Sequence, residues 1–349
     1  MTPNKNILRL LAPLSTLYAQ ITTLRNTLYD HNYLKTHWLC APTIAVGNIT
    51  TGGTGKTPTV IFLANLLRDQ GLVPGLIMRG YAAKPNHDPD ELLLYRRLLP
   101  GVPAVANPNR VRAAQTVLNQ GADVIIADDA FQHRRLGRDF NICLIDAVLP
   151  FGYDKILPAG HLREPLKGLA RADLFILTRS DQVPAATLDE IRFKLETFAP
   201  NSPILTSTHR PVSLSNLTNQ KFPLSLLADK KILAFAAIGQ PSAFFNTLKS
   251  LGATLLAEQV FRDHHHFTLN DLLALRDAAK SLHADTLVCT AKDLVKFTPD
   301  MLTQADLSPH SLLALDIAIT MPPEQQNLLS TKLSTITKNF PRRILTLIK

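Results

Sequence analysis

The sequence predicts an α/β fold with parallel strands, and three observations support this prediction. Short apolar runs alternate with segments of helical periodicity along most of the chain, as in parallel sheets joined by crossover helices. The runs are almost continuously apolar, which is typical of strands buried on both faces. A glycine-rich loop at 47–58 joins the first run directly to a helical segment at 59–67. With 349 residues, of which 46% are hydrophobic and 19% charged, the chain is globular and long enough for two domains.

The first 40 residues are predicted to form a basic amphipathic helix. Its apolar stripe at helical spacing comprises Ile7, Leu10, Leu11, Leu14, Leu17, Tyr18, Ile21, Leu24 and Leu28. Four basic residues and one acidic residue give this segment a net charge of +3, and Pro13 should begin or kink the helix. No apolar run reaches the ~20 residues of a membrane span. The pattern fits a helix lying in a membrane interface and a helix packed on the domain equally well.

The loop at 47–58 reads Gly-Asn-Ile-Thr-Thr-Gly-Gly-Thr-Gly-Lys-Thr-Pro and predicts a phosphate-binding loop. Its glycines let backbone N–H groups point at phosphate oxygens, and the following helix N-terminus adds partial positive charge. Lys56 would reach the β- and γ-phosphates, and the Thr57 hydroxyl would hold Mg²⁺. The predicted nucleotide-binding residues are Asn48, Thr50, Thr51, Gly52, Gly53, Thr54, Gly55, Lys56 and Thr57. Thr50 stands where the usual pattern has glycine.

The strands of this sheet are predicted at 43–46, 75–78, 102–106, 123–127, 142–145 and 174–177. The strand at 123–127 ends in Asp128 and Asp129, and a phosphate loop needs such a carboxylate to hold Mg²⁺ directly or through water. The basic run that follows, with His133 and three arginines, is a candidate to bind anionic substrate or the transferring phosphate. Asp90 and Glu91, in a polar loop, are weaker candidates to position or deprotonate a nucleophile.

A polar stretch at 200–224, with weak periodicity, is predicted to be a linker or hinge. After it, strands are predicted at 232–238, 253–257, 286–289 and 312–317, and helices at 241–251 and 269–282. We therefore expect an amphipathic N-terminal helix at 1–40, a phosphate-loop (P-loop NTPase-like) domain at 41–205 and a second, smaller α/β domain at 206–349. A ligand cleft is expected between the two domains.

The histidines, cysteines and charge carry less information. Three consecutive histidines at 264–266 suggest a metal site, but no Cys or Glu lies at familiar zinc-ligand spacing, so one histidine facing the cleft is favoured. Cys143 and Cys289 lie in apolar strand patterns and are predicted to be buried thiols. The net charge of +9 favours an anionic partner, which leaves nucleic acid, an acidic membrane surface and a phosphorylated substrate open.

Several motifs together resemble the tetraacyldisaccharide 4′-kinase (lipid A 4′-kinase) family over most of the chain. They are Gly47-Asn48, the run 52–58, Arg79-Gly80-Tyr81, Asp90-Glu91, Asp128-Asp129, Phe131-Gln132-His133-Arg134, Leu157-Pro158-Ala159-Gly160, Arg163-Glu164-Pro165, Asp263-His264-His265, and Thr290 with Lys292-Asp293. The blocks around 128–134 and 157–165 are the most specific, because many families share the phosphate loop. The chain departs from the family pattern at Ala82, Ala83, Pro89, Leu92, Ala130 and Ala291, which bears on loop geometry more than on the reaction.

The resemblance implies a kinase that uses ATP and Mg²⁺. Its acceptor would be the 4′-hydroxyl of an acylated glucosamine disaccharide 1-phosphate, the tetraacyldisaccharide 1-phosphate of lipid A biosynthesis. It also implies a peripheral enzyme on the cytoplasmic face of the bacterial inner membrane. We expect no nucleic-acid partner and no obligate protein partner.

The resemblance also implies roles for single residues. Asp90 matches the base for the sugar hydroxyl, and His264 matches the histidine that pairs with it, a pair that would join the two expected domains. Arg110 matches an arginine near the phosphates, which Lys56 and the loop amides would hold. The Mg²⁺ ligands are expected to be Thr57 and Asp128, with Asp129 and Glu91 as second candidates.

Three rival functions fit the sequence less well. A regulatory or partitioning ATPase of the deviant phosphate-loop class, the main alternative, carries a signature lysine before the paired glycines, where this chain has Thr51. A GTP-binding protein would have an Asn-Lys-X-Asp run, which the sequence lacks. A nucleic-acid-dependent ATPase would present aromatic and basic residues together, but aromatic residues are only 6% and no such platform stands out.

Overall fold

The computed structural model describes residues 5–80 and 88–347, with side chains for 11–80 and 88–340. Tyr81, Ala82 and Ala83 lie outside the described residues, as do the side chains of Ile7 and Leu10. The chain forms two compact units. Unit 1 comprises Met1–Arg79, Gly101–His209 and Ile319–Lys349, and unit 2 comprises Gly80–Pro100 and Arg210–Ala318.

These units differ from the expected bounds of 41–205 and 206–349 in two segments. The segment around Asp90 belongs to unit 2, and the C-terminal helix belongs to unit 1. Contacts between segments that are remote in sequence decide this division, and no composition shift marks it along the chain.

Helices and strands alternate along most of the chain. The α-helices are α1 (Lys5–Asp30), α2 (Lys56–Asp69), α3 (Asp90–Leu98), α4 (Arg110–Asn119), α5 (Ala185–Phe198), α6 (Pro241–Ser250), α7 (Leu269–Ser281), α8 (Ala291–Leu294), α9 (Pro299–Gln304) and α10 (Pro323–Leu347). The strands are β1 (Thr43–Asn48), β2 (Pro74–Met78), β3 (Ala104–Ala106), β4 (Val124–Asp128), β5 (Phe140–Asp146), β6 (Leu174–Thr178), β7 (Ile204–Thr206), β8 (Thr208–Ser215), β9 (Lys221–Phe222), β10 (Lys231–Ala236), β11 (Thr254–Val260), β12 (Thr286–Thr290) and β13 (Leu312–Thr320).

The sheet of unit 1 confirms the predicted parallel α/β architecture. Within the described residues it has seven strands in the order β3-β2-β4-β1-β5-β6-β7, and all neighbouring pairs are parallel. The central strand β1 is buried along its whole length, which explains its continuous apolar run. Strand order reverses beside β1, so the loop after it lies at a topological switch point, where open α/β sheets bind ligands.

The stretch at 200–224 is not the predicted linker, because it contains β7, β8 and β9. β7 lies at the edge of the first sheet, and its residues are mostly half-buried. The second sheet has the order β11-β10-β12-β13-β8-β9 in the described residues, with β9 antiparallel to β8. β7 and β9 are short edge strands, and β8 is only partly buried. These strands therefore lack the continuous apolar pattern that marks the central strands.

The core of unit 2 is built around aromatic contacts. Phe235 on β10 is fully buried, and its ring packs edge-on against Phe261, Phe267 and Phe297 at centroid distances of 6.3, 5.4 and 6.0 Å. This cluster holds the histidine-containing loop after β11 against the turn after α8. Cys143 and Cys289 are buried in their strands, as predicted.

Helix α1 packs on unit 1 through polar side chains. Pro13 lies inside the helix and does not begin it. Ser15 Oγ donates to the Ile156 carbonyl oxygen and accepts from the Ala159 N–H, both at 3.0 Å. Asn26 Nδ2 donates to Glu164 Oε2 at 2.9 Å. Polar residues of α1 therefore face the rest of unit 1, together with the half-buried Leu11, Tyr18 and Leu28.

Another side of α1 is apolar and exposed. It carries Leu14, Leu17, Ile21 and Leu24, which are 55, 53, 56 and 61% exposed. None of the helices in the described residues is long and apolar enough to cross a membrane. The helix thus packs on its domain and still presents an apolar stripe to its surroundings.

Candidate active site

The glycine-rich loop leaves β1 at Asn48 and enters α2 at Lys56. Gly52 and Gly55 adopt φ angles of 108° and 81°, in the left-handed region that favours glycine. A side chain at Gly55 would also collide with the His209 ring, because its Cβ would lie 2.8 Å from Nε2. Within the described residues no side chain caps the start of α2, so the first N–H groups of this helix suit a phosphate.

The loop is held in place by the segment at 161–163. The Thr51 N–H donates to the His161 carbonyl oxygen at 2.7 Å, and the Thr51 hydroxyl lies 2.9 Å from His161 Nδ1. The Arg163 N–H donates to the Ile49 carbonyl oxygen at 2.7 Å. These bonds organise the loop through one of the two specific sequence blocks.

Lys56, the loop lysine, lies among polar partners near the end of β4. Its Nζ atom is 3.3 Å from Asn48 Oδ1 and 3.6 Å from Asp129 Oδ1. Arg163 Nη1 contacts both oxygens of Asp129, at 2.8 and 2.9 Å. Burial alone would raise the pKa of the Asp129 carboxyl, but Lys56 and Arg163 outweigh it and hold that pKa below its ordinary value. Asp129 therefore stays ionised and fixed between two cations.

Asp128 is placed beside the loop by sheet register. Val46 pairs with Asp128 across β1 and β4, so the acid and the loop leave the sheet at the same edge. Asp128 is buried, and Thr57 follows Lys56 in the first turn of α2. A carboxylate and a threonine hydroxyl beside a phosphate loop form the oxygen donor set that Mg²⁺ uses together with nucleotide phosphates and water. The residues present therefore fit this ion.

Arg110 is a buried basic residue whose charge acts on both Asp129 and the half-buried His133. Arg110 begins α4 and is only 2% exposed. Burial, followed by the charges of Arg110, Arg138, Arg135 and Arg79, lowers the pKa of His133 to about 4. His133 is consequently neutral at physiological pH, in surroundings that favour anions over cations.

The two specific sequence blocks meet at Glu164, which is fully buried. Arg171 Nη2 lies 2.7 Å from both carboxylate oxygens, and Gln132 Nε2 donates to Oε1 at 2.9 Å. Gln132 Nε2 also donates to the Asn48 carbonyl oxygen at 2.8 Å. Because Asn26 of α1 contacts the same carboxylate, this acid ties the N-terminal helix, the second block and the end of β1 together.

A second polar cluster lies within unit 2. Asp90 begins α3 and is 7% exposed, and His264 Nδ1 lies 3.2 Å from its Oδ2 atom. Both residues belong to unit 2, whereas the expected boundaries put them in different domains. The contact joins segments 174 residues apart in sequence. Glu91 pairs with Lys292 at 3.2 Å.

The first two of the three consecutive histidines contact different partners. His264 contacts Asp90, whereas His265 Nε2 lies 3.1 Å from Asp271 Oδ2 and its ring stacks on Phe261. In the described part of the chain, no group of three or more His, Cys, Asp or Glu side chains could hold a metal ion by itself.

Four basic residues in these clusters received no role from the sequence. They are Arg163 on Asp129, Arg171 on Glu164, Lys292 on Glu91 and Lys296 on Asp90. Arg163 and Lys292 stand inside the motifs that carry the family resemblance, so a signal for them was present. Arg171 and Lys296 lie outside those motifs, so no such signal marks them. Among the departures from the family pattern, Leu92 and Ala130 are buried and fill the protein interior.

A phosphate loop at the switch point of a parallel sheet, with an aspartate at the end of the neighbouring strand, defines a phosphate-loop nucleotide-binding protein. The family model described as Tetraacyldisaccharide-1-P 4′-kinase matches residues 7–334. The chain belongs to this family, and it is therefore a kinase.

Curated relatives and a solved structure agree with this assignment. The Tetraacyldisaccharide 4′-kinase of Syntrophus aciditrophicus is 38% identical, covering 83% of this chain and 84% of its own length. The Tetraacyldisaccharide 4′-kinase of Halothermothrix orenii is 33% identical, and the match covers 91% of this chain and 90% of that protein. LpxK from Aquifex aeolicus, solved in complex with ATP, is 30% identical with a TM-score of 0.76, over 95% of this chain and 99% of that one. The predicted family, fold class and kinase activity are confirmed.

We expect the His133 ring to titrate near pH 4, because burial and the neighbouring arginines disfavour its protonated form. An unfolded histidine binds its proton near pH 6.5, so the stability this group contributes is present above about pH 6.5 and is lost as the pH falls toward 4. An NMR titration of the His133 Cε1–H signal, assigned with His133→Asn, measures this pKa. The exposed His283, replaced by Asn, is the control for assignment. A midpoint above pH 6 for His133 would contradict the expectation.

Proposed function

We propose that this kinase transfers the γ-phosphate of ATP to the 4′-hydroxyl of tetraacyldisaccharide 1-phosphate. The observation that carries the proposal is the contact of His264 with the buried Asp90, in a chain that also has a phosphate loop. A kinase that acts on a hydroxyl needs a base for the acceptor as well as a cradle for ATP. A binding switch has no need of the base.

The phosphates of ATP are the ligands of the loop in unit 1. Lys56 and the N–H groups at the start of α2 hold the β- and γ-phosphates, and Arg110 adds positive charge nearby. Thr57 and Asp128 hold Mg²⁺, which neutralises charge on the phosphates when it is bound. Asp129 and Glu91 are second candidates as ligands, but each already pairs with a cation in this structure. Asp129 thus fits better as the group that positions Lys56.

Asp90 takes the proton from the acceptor hydroxyl, and His264 orients Asp90. In a neutral imidazole one nitrogen donates and the other accepts. Lys292 Nζ lies 3.5 Å from His264 Nε2, and since an ammonium group can only donate, Nε2 accepts. The proton is then on Nδ1, which donates to the Asp90 carboxylate. This arrangement directs the carboxylate and stabilises the form that a general base requires.

The acylated acceptor is reached at a membrane surface through α1. The exposed leucines and isoleucine of α1 can enter the interface because its polar side packs on unit 1. The net charge of +9 favours an anionic lipid surface and an anionic acceptor. We infer a peripheral enzyme on the cytoplasmic face of the inner membrane, where ATP is present.

Lys56→Ala should lower the rate of acceptor phosphorylation by at least about 10²-fold, because the β- and γ-phosphates lose a charge that stabilises the transition state. The measurement is phosphate transfer from radiolabelled MgATP to purified tetraacyldisaccharide 1-phosphate. Lys167→Ala, at an exposed lysine of unit 1, is the control and should keep full activity. ATP turnover that is indifferent to the acceptor would instead support a regulatory ATPase.

Asp90→Ala and His264→Ala should each lower kcat by roughly 10²–10⁴-fold at saturating MgATP, the range for loss of proton-transfer catalysis. Since the two side chains act as one unit, the double variant should lose less than the product of the two single losses. ATP affinity, measured separately by calorimetry, should change little. Multiplicative losses would argue against the coupling, and a nearly active Asp90→Ala would remove Asp90 from the catalytic residues.

Replacing Leu17 and Leu24 together by Gln should weaken binding to anionic phospholipid vesicles by at least about fivefold, because both side chains would enter the interface. Both are already more than half exposed, so the fold should be unaffected. Phe193→Gln, at a 76% exposed apolar residue on α5, is the matched control and should bind normally. Equal co-sedimentation of all three proteins would refute an interfacial role for α1.

A further inference from the structure

Lys296 is a lysine buried in the interior of unit 2. Its side chain is 3% exposed, and its ammonium lies 3.0 Å from Asp293 Oδ1 and 3.3 Å from Asp90 Oδ2. Lysine is almost never buried unless it is paired, because an uncompensated charge in the interior costs several kcal/mol. Surface lysines keep a protein soluble, but Lys296 is buried between two acids and must have another role.

The position of Lys296 is fixed independently of Asp90. Asp293 is fully buried, and its Oδ2 atom accepts from the Ala237 N–H at 3.1 Å and from the Thr290 hydroxyl at 2.7 Å. Asp293 is therefore immobile, and it holds the ammonium. The Phe267 ring, with its centroid 5.6 Å from Nζ, adds a cation–π contact. Contacts with Asp293 and Phe267 therefore hold Lys296 in place without any contribution from Asp90.

Two lysines on and just after α8 each contact one of the two acids at the start of α3. Lys292 lies on α8, and Lys296 lies four residues later in the turn that follows this helix. Lys292 contacts Glu91 at 3.2 Å, and Lys296 contacts Asp90 at 3.3 Å. The result is a matched pair of contacts that sets the position of the first turn of α3.

We propose that Lys296 is a positioning residue for phosphoryl transfer, acting only through Asp90; the inference rests on the proposed role of Asp90 as the base. Lys296 and His264 both contact Oδ2 of Asp90. Two donors on one carboxylate oxygen fix the rotation of the carboxylate and direct its other oxygen, Oδ1, at the acceptor hydroxyl. His264 orients Asp90 through a hydrogen bond, and Lys296 supplies a permanent cation beside the same carboxylate.

The competing explanation is that Lys296 only ties α8 to α3 as a buried ion pair. Removing one partner of such a pair destabilises the fold, and activity would then fall in proportion to the folded fraction. That loss would not depend on whether residue 90 is an aspartate. A positioning role, in contrast, disappears when the carboxylate it positions is absent.

The experiment compares Lys296→Met, which keeps the chain length without the charge, with Lys296→Arg in the full-length protein. We expect Lys296→Met to lower kcat for tetraacyldisaccharide 1-phosphate by at least about tenfold while the KM for MgATP stays within about twofold. Lys296→Arg should recover part of kcat. Lys249→Met is the matched control and should leave both constants unchanged, since it removes an exposed lysine that pairs with Glu258 in the same unit.

The deciding measurement repeats Lys296→Met in an Asp90→Asn background, with the folded fraction of each variant measured by circular dichroism. Lys296→Met should then change the residual kcat by less than about twofold. Equal losses in both backgrounds, or an unchanged kcat in the wild-type background, would overturn the inference while Asp90 stays the base. A fully active Asp90→Asn would overturn the base assignment and the inference together.

A second variant keeps the inference testable if Lys296→Met does not fold. Asp293→Asn retains the hydrogen-bond acceptor for the Ala237 N–H and removes the charge that holds the ammonium. It should lower kcat when Asp90 is present and leave it unchanged in the Asp90→Asn background. A normal kcat for Asp293→Asn in the wild-type background would count against positioning by this lysine.

Discussion

The parallel pairing of β1 with β4 is the constraint on which the nucleotide site depends. It aligns Val46 with Asp128, 82 residues further along the chain. The glycine-rich loop after Val46 and this acid therefore leave the sheet side by side. β1 is buried on both faces, so a shift by one residue would give every side chain different packing partners, and the observed packing favours this register. Hydrogen bonds from the 161–163 segment and from Gln132 then hold the loop in position. The loop is thus organised by the protein's own contacts.

In both units, carboxylates that are buried or nearly buried are paired with cations. Asp129 lies between Lys56 and Arg163, Glu164 is held by Arg171, and Asp90 meets Lys296. In each case a carboxylate near the proposed chemistry is fixed by a cation that is itself partly or fully buried. Charged groups that are already fixed need no rearrangement when charge develops in the transition state. Electrostatic stabilisation by such preorganised groups is usually the largest contribution to catalysis.

Helix α1 combines two interactions that are usually alternatives. Its polar residues Ser15 and Asn26 hydrogen-bond to unit 1, and its leucines remain exposed. Asn26 reaches Glu164, which also receives Gln132, and Gln132 contacts the end of β1. The surface proposed to meet the membrane is therefore anchored on the carboxylate that also supports the nucleotide loop.

The sequence alone determined the parallel fold, the loop, the acids after β4 and the family, because each is written in local spacing and in near-continuous apolar runs. It failed at 200–224, where short edge strands bury few residues, and at the unit boundaries. The orientation of α1 was likewise undecidable from periodicity, which is the same for an apolar stripe facing inward or outward. The family resemblance already paired His264 with Asp90, but only the tertiary structure brought Lys296 to Asp90. That contact joins residues 206 positions apart in sequence, and local spacing does not encode which distant charges share a buried site.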